Sequence, residues 1–449
     1  MRRWRRILGI VGLALVTGPS AAAPTQTHQS PDGVRVMTFN LEDVRTADLL
    51  DPEQPRLRRL AEIIQRIRPN ILFLNEIAYD EAGGPDAPVD AEPGQNGRRF
   101  VENFLSRSQA PGLEPIEFSV FQRPSNTGRA SGFDLNRDGQ VVTSYPAPPG
   151  SGPDGSPARQ TNEGRAYGND CWGFGTFPGQ YGMALLVDPR LEIVEDGART
   201  FRLLPWRYLP EHLMPEAPEP DEGAEPEDAA DENEQEAGLG ADAEEDAEGE
   251  QPAPPDTGWY AGEAGQLFRL ASKGFWDVPV RLPSGEVLHV LCSHPTPPAF
   301  DGPEGRNKRR NHDEIRLIAD YIDGAAYLVD DDSQAGGLGP SDRFVVVGDL
   351  NADPDEGSSI YNPIQRLLLD SPRVLDYPAP VSPLGLEGLD ADDTAMFRFR
   401  VDYVLPSSGI SVLRSGVWRG IEGDTRPRPS DHFPVWVDLV VPDGAETKP

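Results

Sequence analysis

Short apolar runs that end in polar residues recur along the chain, and they predict buried β-strands. The clearest run is Phe344–Val347, and Asp349 and Asn351 follow it closely. An unbroken run of apolar, mostly β-branched residues suits a strand covered on both faces. Gly348 is expected to let the backbone turn after that strand. Further strands are expected at Val34–Phe39, Ile71–Leu74, Phe118–Phe121, Tyr181–Val187, Ser272–Val280, Val287–Cys292, Phe399–Val404 and Val435–Val441.

Helical spacing of apolar residues predicts helices between several of these strands. Leu57–Ile67 places its apolar residues on one face and most of its arginines on the other. Ile315, Ile318 and Ile322 mark a second helix, and a third is expected near Arg98–Leu105. The strand–helix–strand order predicts an α/β domain that presents polar groups at the ends of its strands.

The N-terminal segment has the pattern of a secretory signal peptide. Basic residues precede an apolar stretch from Ile7 to Val16, and small residues follow around Ala21–Ala23. This stretch is too short to span a membrane, and no later run is long enough to do so. We therefore expect residues 1–23 to be removed and a soluble domain, residues 33–441, to be exported to the periplasm or the medium.

A strongly acidic segment interrupts the predicted domain. The net charge is −33, and Glu216–Asp256 holds 18 acidic residues and no lysine or arginine, so the rest carries about −15. The segment has too few large apolar residues to offset the entropy lost on ordering. We expect residues 209–262 to form a disordered insertion, with cation or partner binding as the alternative. The acidity of the remainder weighs against tight non-specific binding to duplex DNA.

Cysteine chemistry leaves two alternatives. Only Cys171 and Cys292 occur in the chain. In an exported protein they could form one disulfide, which falls short of a disulfide framework. Cys292 ends an apolar run, so a buried free thiol is equally well supported.

Polar side chains of the kinds that bind metal ions and phosphate follow several predicted strands. Glu76 comes almost directly after an apolar strand, where an unpaired carboxylate is costly to bury, so a cation partner is expected. Asp349 and Asn351 combine a charged oxygen with an amide, which suits a hydrated divalent ion and a phosphate oxygen. Singly, each residue also fits an ordinary loop. The full set is Asn40, Glu42, Glu76, His294, Asp349, Asn351, Asp402, Asp431 and His432.

Asp402 and His432 predict a catalytic pair. Asp402 is the only carboxylate in the run Phe399–Val404, and a carboxylate in a strand needs a partner. His432 precedes the last strand and could be that partner. Pairing with Asp402 would fix the tautomer of His432 and raise its basicity. A neutral imidazole held in this way could act as general base for a water that attacks phosphorus.

One loop resembles part of a calcium site. Asp134, Asn136 and Asp138, followed by Gly139, match the first half of a D-x-N-x-D-G calcium loop. Tyr145 stands where that loop has its last glutamate, so a complete loop is not predicted. The alternatives are a structural Ca²⁺ held with another carboxylate and an Asx-rich turn.

The most basic stretch of the mature chain runs from Arg306 to Asn311, at the start of a predicted helix. Helix starts normally attract acidic rather than basic residues. Because the stretch follows His294, Arg306 and Arg309 are candidates for binding phosphate. A solvated helix face is the alternative.

Taken together and in this order, six motifs resemble those of the endonuclease/exonuclease/phosphatase superfamily, the deoxyribonuclease-I-like group. The resemblance covers Val34 to Val441. It implies a four-layer α/β sandwich, in which two mixed β-sheets pack face to face and are flanked by helices. The site would lie where the strand ends converge. The motifs are Asn40, Glu76, His294, Asp349 with Asn351, Asp402, and Asp431 with His432.

The resemblance also implies a metal site. Glu76 would bind Mg²⁺ or Mn²⁺, with Asn40, Glu42 and Asp431 completing the set of ligands. The implied chemistry is metal-assisted hydrolysis of a phosphoester, in which charge on the phosphate oxygens needs cationic compensation.

Catalytic roles follow from the same resemblance. Asp349 and Asn351 would orient the attacking water and bind the phosphate. His294 would stabilise the pentavalent phosphorus or assist the leaving oxygen. His432 would be the base, oriented by Asp402.

The expected function is therefore that of a secreted, monomeric, metal-dependent phosphoesterase that cleaves a phosphodiester or phosphomonoester. Extracellular nucleic acid, a phospholipid headgroup and a small phosphoester are the candidate substrates. The alternative is a catalytically silent, cation-binding or adhesive secreted protein with the same fold. Every proposed catalytic side chain is present, which favours the enzyme.

Overall fold

The strands account for most of the regular structure in the computed structural model, which describes residues 33–87, 92–216, 258–260 and 262–442. Their bounds are β1 (Val34–Val44), β2 (Ile71–Ile77), β3 (Ser119–Phe121), β4 (Met183–Val187), β5 (Glu192–Ile193), β6 (Arg199–Thr200), β7 (Phe275–Arg281), β8 (Val287–Ser293), β9 (Arg343–Asp349), β10 (Asp402–Pro406), β11 (Ser411–Val417) and β12 (Val435–Val440).

The helices are fewer, and two are long. Among the described residues, no helix has the length and apolar character that a membrane span requires. Val101–Leu105 and Ile364–Leu369 are π-helical, and Glu195–Gly197 and Trp206–Tyr208 are 3₁₀ turns. The α-helices are α1 (Thr46–Leu50), α2 (Pro55–Ile67), α3 (Asn96–Phe100), α4 (Asn162–Asn169), α5 (Glu263–Leu267) and α6 (Arg306–Ile322).

Two mixed sheets pack face to face, which confirms the predicted four-layer sandwich. One sheet has the order β11-β12-β1-β2-β4-β3, and the other has β10-β9-β8-β7-β5, with β6 also paired to β7. Residues such as Phe73, Trp276 and Val345 fill the space between the sheets. The apolar face of α2 covers one outer surface, and Ile315 and Ile318 of α6 belong to the core on the other.

Each sheet contains one parallel pair, and this arrangement places the candidate site. β1 pairs with β2 in parallel, and β8 pairs with β9 in parallel. A helix joins the strands of each pair, α2 in the first sheet and α6 in the second. The carboxyl ends of parallel strands lie at the same edge of a sheet. The last residues of β1 and β2 therefore share one edge and those of β8 and β9 share another, and a hydrogen bond from Asn40 to Asp349 joins the two edges at one end of the sandwich.

The ends of β9 and β10 differ from the prediction. Gly348 does not turn the chain, because β9 continues through Asp349 and both residues pair with β10. Gly348 has φ +148°, and a Cβ there would lie 1.9 Å from the carbonyl oxygen of Ser293. Close approach of β8 therefore requires the glycine. Asp402 is the first residue of β10, directly opposite Asp349, and not inside the strand as expected.

The ends of the predicted acidic insertion belong to the packed body. Leu209 and Tyr260 are both buried in the core beside α6. Glu216 and Gly258 form an antiparallel bridge, and the N–H of Trp259 donates to the carbonyl of Pro215 at 3.0 Å. Residues 217–257, which hold most of the expected disordered insertion, lie outside the described residues. So do residues 1–23, the expected signal peptide.

Deletion of residues 217–257 is expected to change the melting temperature by no more than a few degrees. The bridge between Glu216 and Gly258 brings the cut ends together, so a short glycine linker can close the chain. Calorimetry of the deletion variant beside the parent measures the change. A deletion that also removes 209–216 and 258–260 is the matched control, and it should destabilise the protein because it takes Leu209 and Tyr260 from the core.

Both cysteines are buried free thiols. The thiol of Cys171 donates to the carbonyl of Tyr167, and Cys292 lies within β8. Burial raises the pKa of both thiols, to about 12 for Cys171. Of the two alternatives, the structure agrees with the free thiols, because Cys171 and Cys292 do not form a disulfide with each other.

Candidate active site

An irregular turn at the end of β1 shapes one wall of the site. The register between β1 and β2 shifts between Asn40 and Val44. Glu42 and Asp43 adopt positive φ angles of 56° and 55°, and Glu76 on β2 has φ 62°. Such angles are uncommon outside glycine and cluster at functional sites. The turn lets the N–H of Asp43 donate to Glu76 Oε2 at 3.0 Å.

Asn40 links the two halves of the site as a hydrogen-bond donor. Its amide nitrogen donates to Glu76 Oε1 at 3.1 Å and to Asp349 Oδ2 at 3.0 Å. Its oxygen accepts from the N–H of Glu42 at 2.9 Å. The predicted role was that of a metal ligand. Here the nitrogen and not the oxygen faces the carboxylates, because two adjacent carboxylates need N–H donors.

Carboxylates crowd together around Glu76. Burial and the charge of Asp431 raise the pKa of Glu76 to about 7. The same two causes raise the pKa of Glu42, whose Oε2 accepts from the N–H of Asp431 at 3.0 Å. Glu76, Glu42 and Asp431 therefore form an acidic group that lacks sufficient positive charge. Oxygen donors with this excess of negative charge fit a hard divalent cation.

His432 lies between three carboxylates. Its Nδ1 is 2.9 Å from Asp402 Oδ2, and its Nε2 is 3.7 Å from Asp349 Oδ2 and 4.0 Å from Asp431 Oδ1. The ring of Phe397 packs edge-on against it. Burial lowers the pKa of His432, but Asp402 and Asp349 outweigh burial and hold it well above its usual value. The direction of this shift favours the protonated ring, whereas a general base has to be neutral when it accepts a proton.

Asp349 is the centre of a second set of contacts. Its Oδ2 lies 3.4 Å from His294 Nε2, and its Oδ1 accepts from the N–H of Asn351 at 2.9 Å. The amide of Asn351 donates to the carbonyl of Pro295 at 3.1 Å. Burial and the charge of Lys273 lower the pKa of His294 to about 4, so this ring is neutral. His294 Nδ1 is buried and has no hydrogen-bond partner among the residues that the structure describes.

Lys273 belongs to the site, although nothing in its sequence context indicated a role. It is buried, and its amine lies 3.4 Å from the carbonyl of Pro295. Burial lowers its pKa, and the charges of Glu314, Glu76 and Asp349 oppose that shift. Lys273 therefore adds a positive charge between the acidic group and His294.

Glu314 of α6 holds the segment of Lys273 in place. Its carboxylate accepts from the N–H of Ser272 at 2.5 Å and from the N–H of Thr296 at 2.6 Å. These two contacts join the residue before Lys273 to the loop after His294. Glu314 is a positioning residue, since both of its oxygens bind backbone.

Comparison with known proteins identifies the family. Residues 37–432 match the model of the Endonuclease/Exonuclease/phosphatase family. The chain belongs to this family. No curated protein sequence matches it. Members of the endonuclease/exonuclease/phosphatase family are nucleases and phosphatases and generally use divalent metals.

Solved structures are similar to the chain at low sequence identity. An endonuclease/exonuclease/phosphatase from Beutenbergia cavernae has 14% identity and a TM-score of 0.44, covering 91% of this chain and 72% of that one. The human Nocturnin catalytic domain with bound sulfate has 13% identity and a TM-score of 0.42, covering 92% and 96%. A mannosyl-6-phosphatase from Bacteroides thetaiotaomicron has 13% identity and a TM-score of 0.40, covering 91% and 100%.

In this endonuclease/exonuclease/phosphatase protein, the two candidate phosphate-binding arginines are not joined to the site by any contact among the described residues. Arg306 lies beside the hydroxyl of Tyr260, at one end of the acidic insertion. Burial raises the pKa of Tyr260 to about 12, and the charge of Arg306 partly opposes this shift. Arg309 Nε is buried and finds no hydrogen-bond partner in the described part of the chain. Asn311, two residues after Arg309 on α6, does reach the site loops and donates to the carbonyls of Thr296 and Leu350.

The candidate calcium loop closes on itself. Asp134 accepts from the N–H groups of Asp138 and Gly139, and Asn136 donates to Asp138 Oδ2 at 3.0 Å. These contacts form the Asx-rich turn that was one of the two alternatives. Among the described residues, the group of ligands close enough to hold a metal is Asp349, Asp402 and His432, which does not include this loop.

Melting in EGTA and in Ca²⁺ tests the calcium hypothesis. If the loop holds Ca²⁺, EGTA lowers the melting temperature and added Ca²⁺ restores it by ligand linkage. The double variant Asp134→Asn, Asp138→Asn then loses this response. Equal melting temperatures in EGTA and in Ca²⁺ would leave the Asx-rich turn as the role of these residues.

Proposed function

We propose that the chain is an exported, metal-dependent phosphoesterase in which His432 accepts the proton of the attacking water. The observation that carries this proposal is the placement of the His432 ring between Asp402 and Asp349. Asp402 holds the proton on Nδ1, which leaves Nε2 as the atom that accepts a proton. The chain belongs to a family whose members hydrolyse phosphoesters, and this supports phosphoester hydrolysis as the reaction.

We place the proposed metal site at the acidic group formed by Glu76, Glu42 and Asp431, and not at Asp349, Asp402 and His432, whose ligand atoms lie within 4.8 Å of one another. Asp402 and His432 already bond to each other, so they are less available as ligands. A divalent ion at the acidic group would polarise a phosphate oxygen and, through its charge, lower the pKa of the neighbouring His432. Burial and the charge of Asp431 raise the pKa of Glu76, and a bound cation would oppose both effects.

The remaining residues supply hydrogen bonds and charge of fixed geometry. The amide of Asn40 donates to both Glu76 and Asp349 and fixes the positions of the two carboxylates relative to each other. His294 Nε2 lies 3.4 Å from Asp349 Oδ2. In the proposed reaction this neutral ring donates a hydrogen bond to an oxygen of the bound phosphate. Lys273 offers its ammonium group to the negative charge that builds up on a phosphate in the transition state.

A substrate screen tests the proposal. The mature protein is incubated with Mg²⁺, Mn²⁺ or Ca²⁺ and with plasmid DNA, RNA, bis-p-nitrophenyl phosphate or sphingomyelin. We expect metal-dependent hydrolysis of at least one of them, and its loss in EDTA. If no phosphoester is cleaved with any metal while the protein binds divalent ions, the cation-binding alternative replaces the enzyme.

Export rests on the signal-peptide pattern of residues 1–23. Expression of the full chain in a bacterial host, followed by fractionation and mass measurement, tests it. A product outside the cytoplasm that begins after residue 23 supports export, and a full-length product in the cytoplasm contradicts it.

Lys273→Met is expected to lower kcat roughly tenfold to a hundredfold, the value of one hydrogen bond to a charged group. The reason is that the methionine keeps the length of the side chain and removes its charge. Lys273→Arg is the matched control and should retain part of the rate. An unchanged kcat in Lys273→Met would mean that the buried lysine serves only packing.

A further inference from the structure

Three arginines that are far apart in the sequence meet beside the segment 125–126. Arg129 Nε donates to the carbonyl of Ser125 at 3.1 Å. Arg269 Nη1 donates to Asn126 Oδ1, and the amide of Asn126 in turn donates to the carbonyl of Arg202 at 2.7 Å. We call Arg129, Arg202 and Arg269 the arginine cluster. All three are half-buried.

The cluster has more positive charge than its neighbours balance. Arg129 pairs with Glu81 at 2.6 Å, but the only hydrogen-bond partner of the Arg269 guanidinium within the described part of the chain is the neutral amide of Asn126, and the group packs over Trp172. Among the described residues, no acceptor lies within hydrogen-bond distance of the Arg202 guanidinium. Burial and the charges of the other two arginines lower the pKa of Arg269 to about 10. Such repulsion is relieved by an anion.

Asp331 does not supply that anion. Its carboxylate accepts from Thr200 Oγ1 and from the N–H groups of Arg202 and Leu203. Both oxygens are thus occupied by neutral donors, and its charge only moderates the repulsion. In a chain with a net charge of −33, a cluster with spare guanidinium donors is a place where an outside anion is attracted.

The cluster is connected directly to the candidate active site. The N–H of Asn126 and the hydroxyl of Ser125 both bond to the carbonyl of Lys273, at 3.0 and 3.2 Å. Glu81, the partner of Arg129, lies on the loop that follows Glu76. The segment that supports the cluster is therefore bonded to the backbone of Lys273, and the inference below requires that a substrate held at Glu76 and Lys273 also reaches the three guanidinium groups.

We infer that the arginine cluster binds a second, non-scissile phosphate group of the substrate. This inference rests on the proposed function and names the substrate class more closely: a phosphoester that carries at least two phosphate groups. Planar guanidinium groups with free N–H donors suit the oxygens of a phosphate. The second group is the next phosphate of a nucleic-acid chain or another phosphate on a small molecule, and the chemistry of recognition is shared.

The test compares two substrates that differ only in that group. Thymidine 5′-(p-nitrophenyl phosphate) has the scissile phosphate alone, and its 3′-phosphorylated form has both. We expect the parent to prefer the second in kcat/KM by roughly tenfold to a hundredfold. The double variant Arg202→Gln, Arg269→Gln should lose this preference and keep its rate on the first substrate. Arg190→Gln is the matched control, because this exposed arginine pairs with Asp188 beyond the opposite end of β4.

Two further measurements separate the outcomes. Hydrolysis of hexathymidylate shows whether the second phosphate belongs to a nucleic-acid chain or to a small molecule. A lower rate on hexathymidylate in the double variant indicates a nucleic-acid chain. A lower rate only on the 3′-phosphorylated substrate indicates a small molecule. Calorimetric binding of thymidine 3′,5′-bisphosphate does not depend on turnover. If the parent hydrolyses nothing but the double variant still binds the bisphosphate more weakly, the proposed function fails and the anion site stands. Equal preference and equal binding in parent and double variant would overturn the inference.

Discussion

His432→Ala is expected to lower kcat by on the order of 10²–10⁴-fold, the usual cost of removing a positioned general base. His432 Nδ1 bonds to Asp402 at 2.9 Å, and the ring is buried against Phe397, so the variant loses a base that the structure holds in a fixed orientation. The rate is measured on bis-p-nitrophenyl phosphate at several concentrations of Mg²⁺ and Mn²⁺. Excess metal should not restore it.

Two variants make this result specific. Asp402→Asn keeps His432 but removes the carboxylate that fixes its tautomer, so it should also lower kcat, by less than His432→Ala. His289→Ala is the histidine control: His289 lies on β8, pairs with Asp277 and should leave kcat near the parental value. A His432→Ala protein that folds and retains parental kcat at every metal concentration would show that the assigned base is wrong.

Local pattern was enough to predict an α/β domain with polar residues at its strand ends, and the family resemblance implied the four-layer sandwich. Apolar runs identify the strands, and parallel pairing brings the ends of β1 and β2 to one edge of their sheet and those of β8 and β9 to one edge of the other. The packing of the two sheets then puts these two edges side by side, as the contact between Asn40 and Asp349 shows. Glu76, His294 and Asp349 meet for that reason. Their order along the chain then carries the resemblance that the match over residues 37–432 confirmed.

Contacts that depend on distant segments could not be predicted in this way. Lys273 was predicted only as part of the strand Ser272–Val280, and it is buried at the site because Glu314, on a helix that comes later in the chain, fixes its neighbours. The orientation of the Asn40 amide depends on Asp349, which follows 309 residues later. The same limit applies to Arg306, whose position in sequence suggested phosphate binding while α6 places it beside Tyr260.

Glu76→Ala is expected to abolish activity at low metal and to regain part of it in excess Mg²⁺ or Mn²⁺. Glu76 acts through the ion, so its loss should weaken metal affinity by at least the roughly 10–100-fold that loss of a supporting group costs. The same change should reduce the rise in melting temperature that Mg²⁺ gives the parent. Glu192→Ala is the control, because this exposed carboxylate lies on β5, at the edge of the other sheet.

Opposite responses to metal distinguish the base from the metal ligand: excess Mg²⁺ rescues Glu76→Ala and not His432→Ala. The structure also offers a competing metal site, since Asp349, Asp402 and His432 present ligand atoms within 4.8 Å of one another. An ion at that site would occupy His432 and deprive the reaction of its base. If Glu76→Ala keeps the metal dependence of the parent, the metal site has to be reassigned to Asp349, Asp402 and His432. A different group would then have to accept the proton of water.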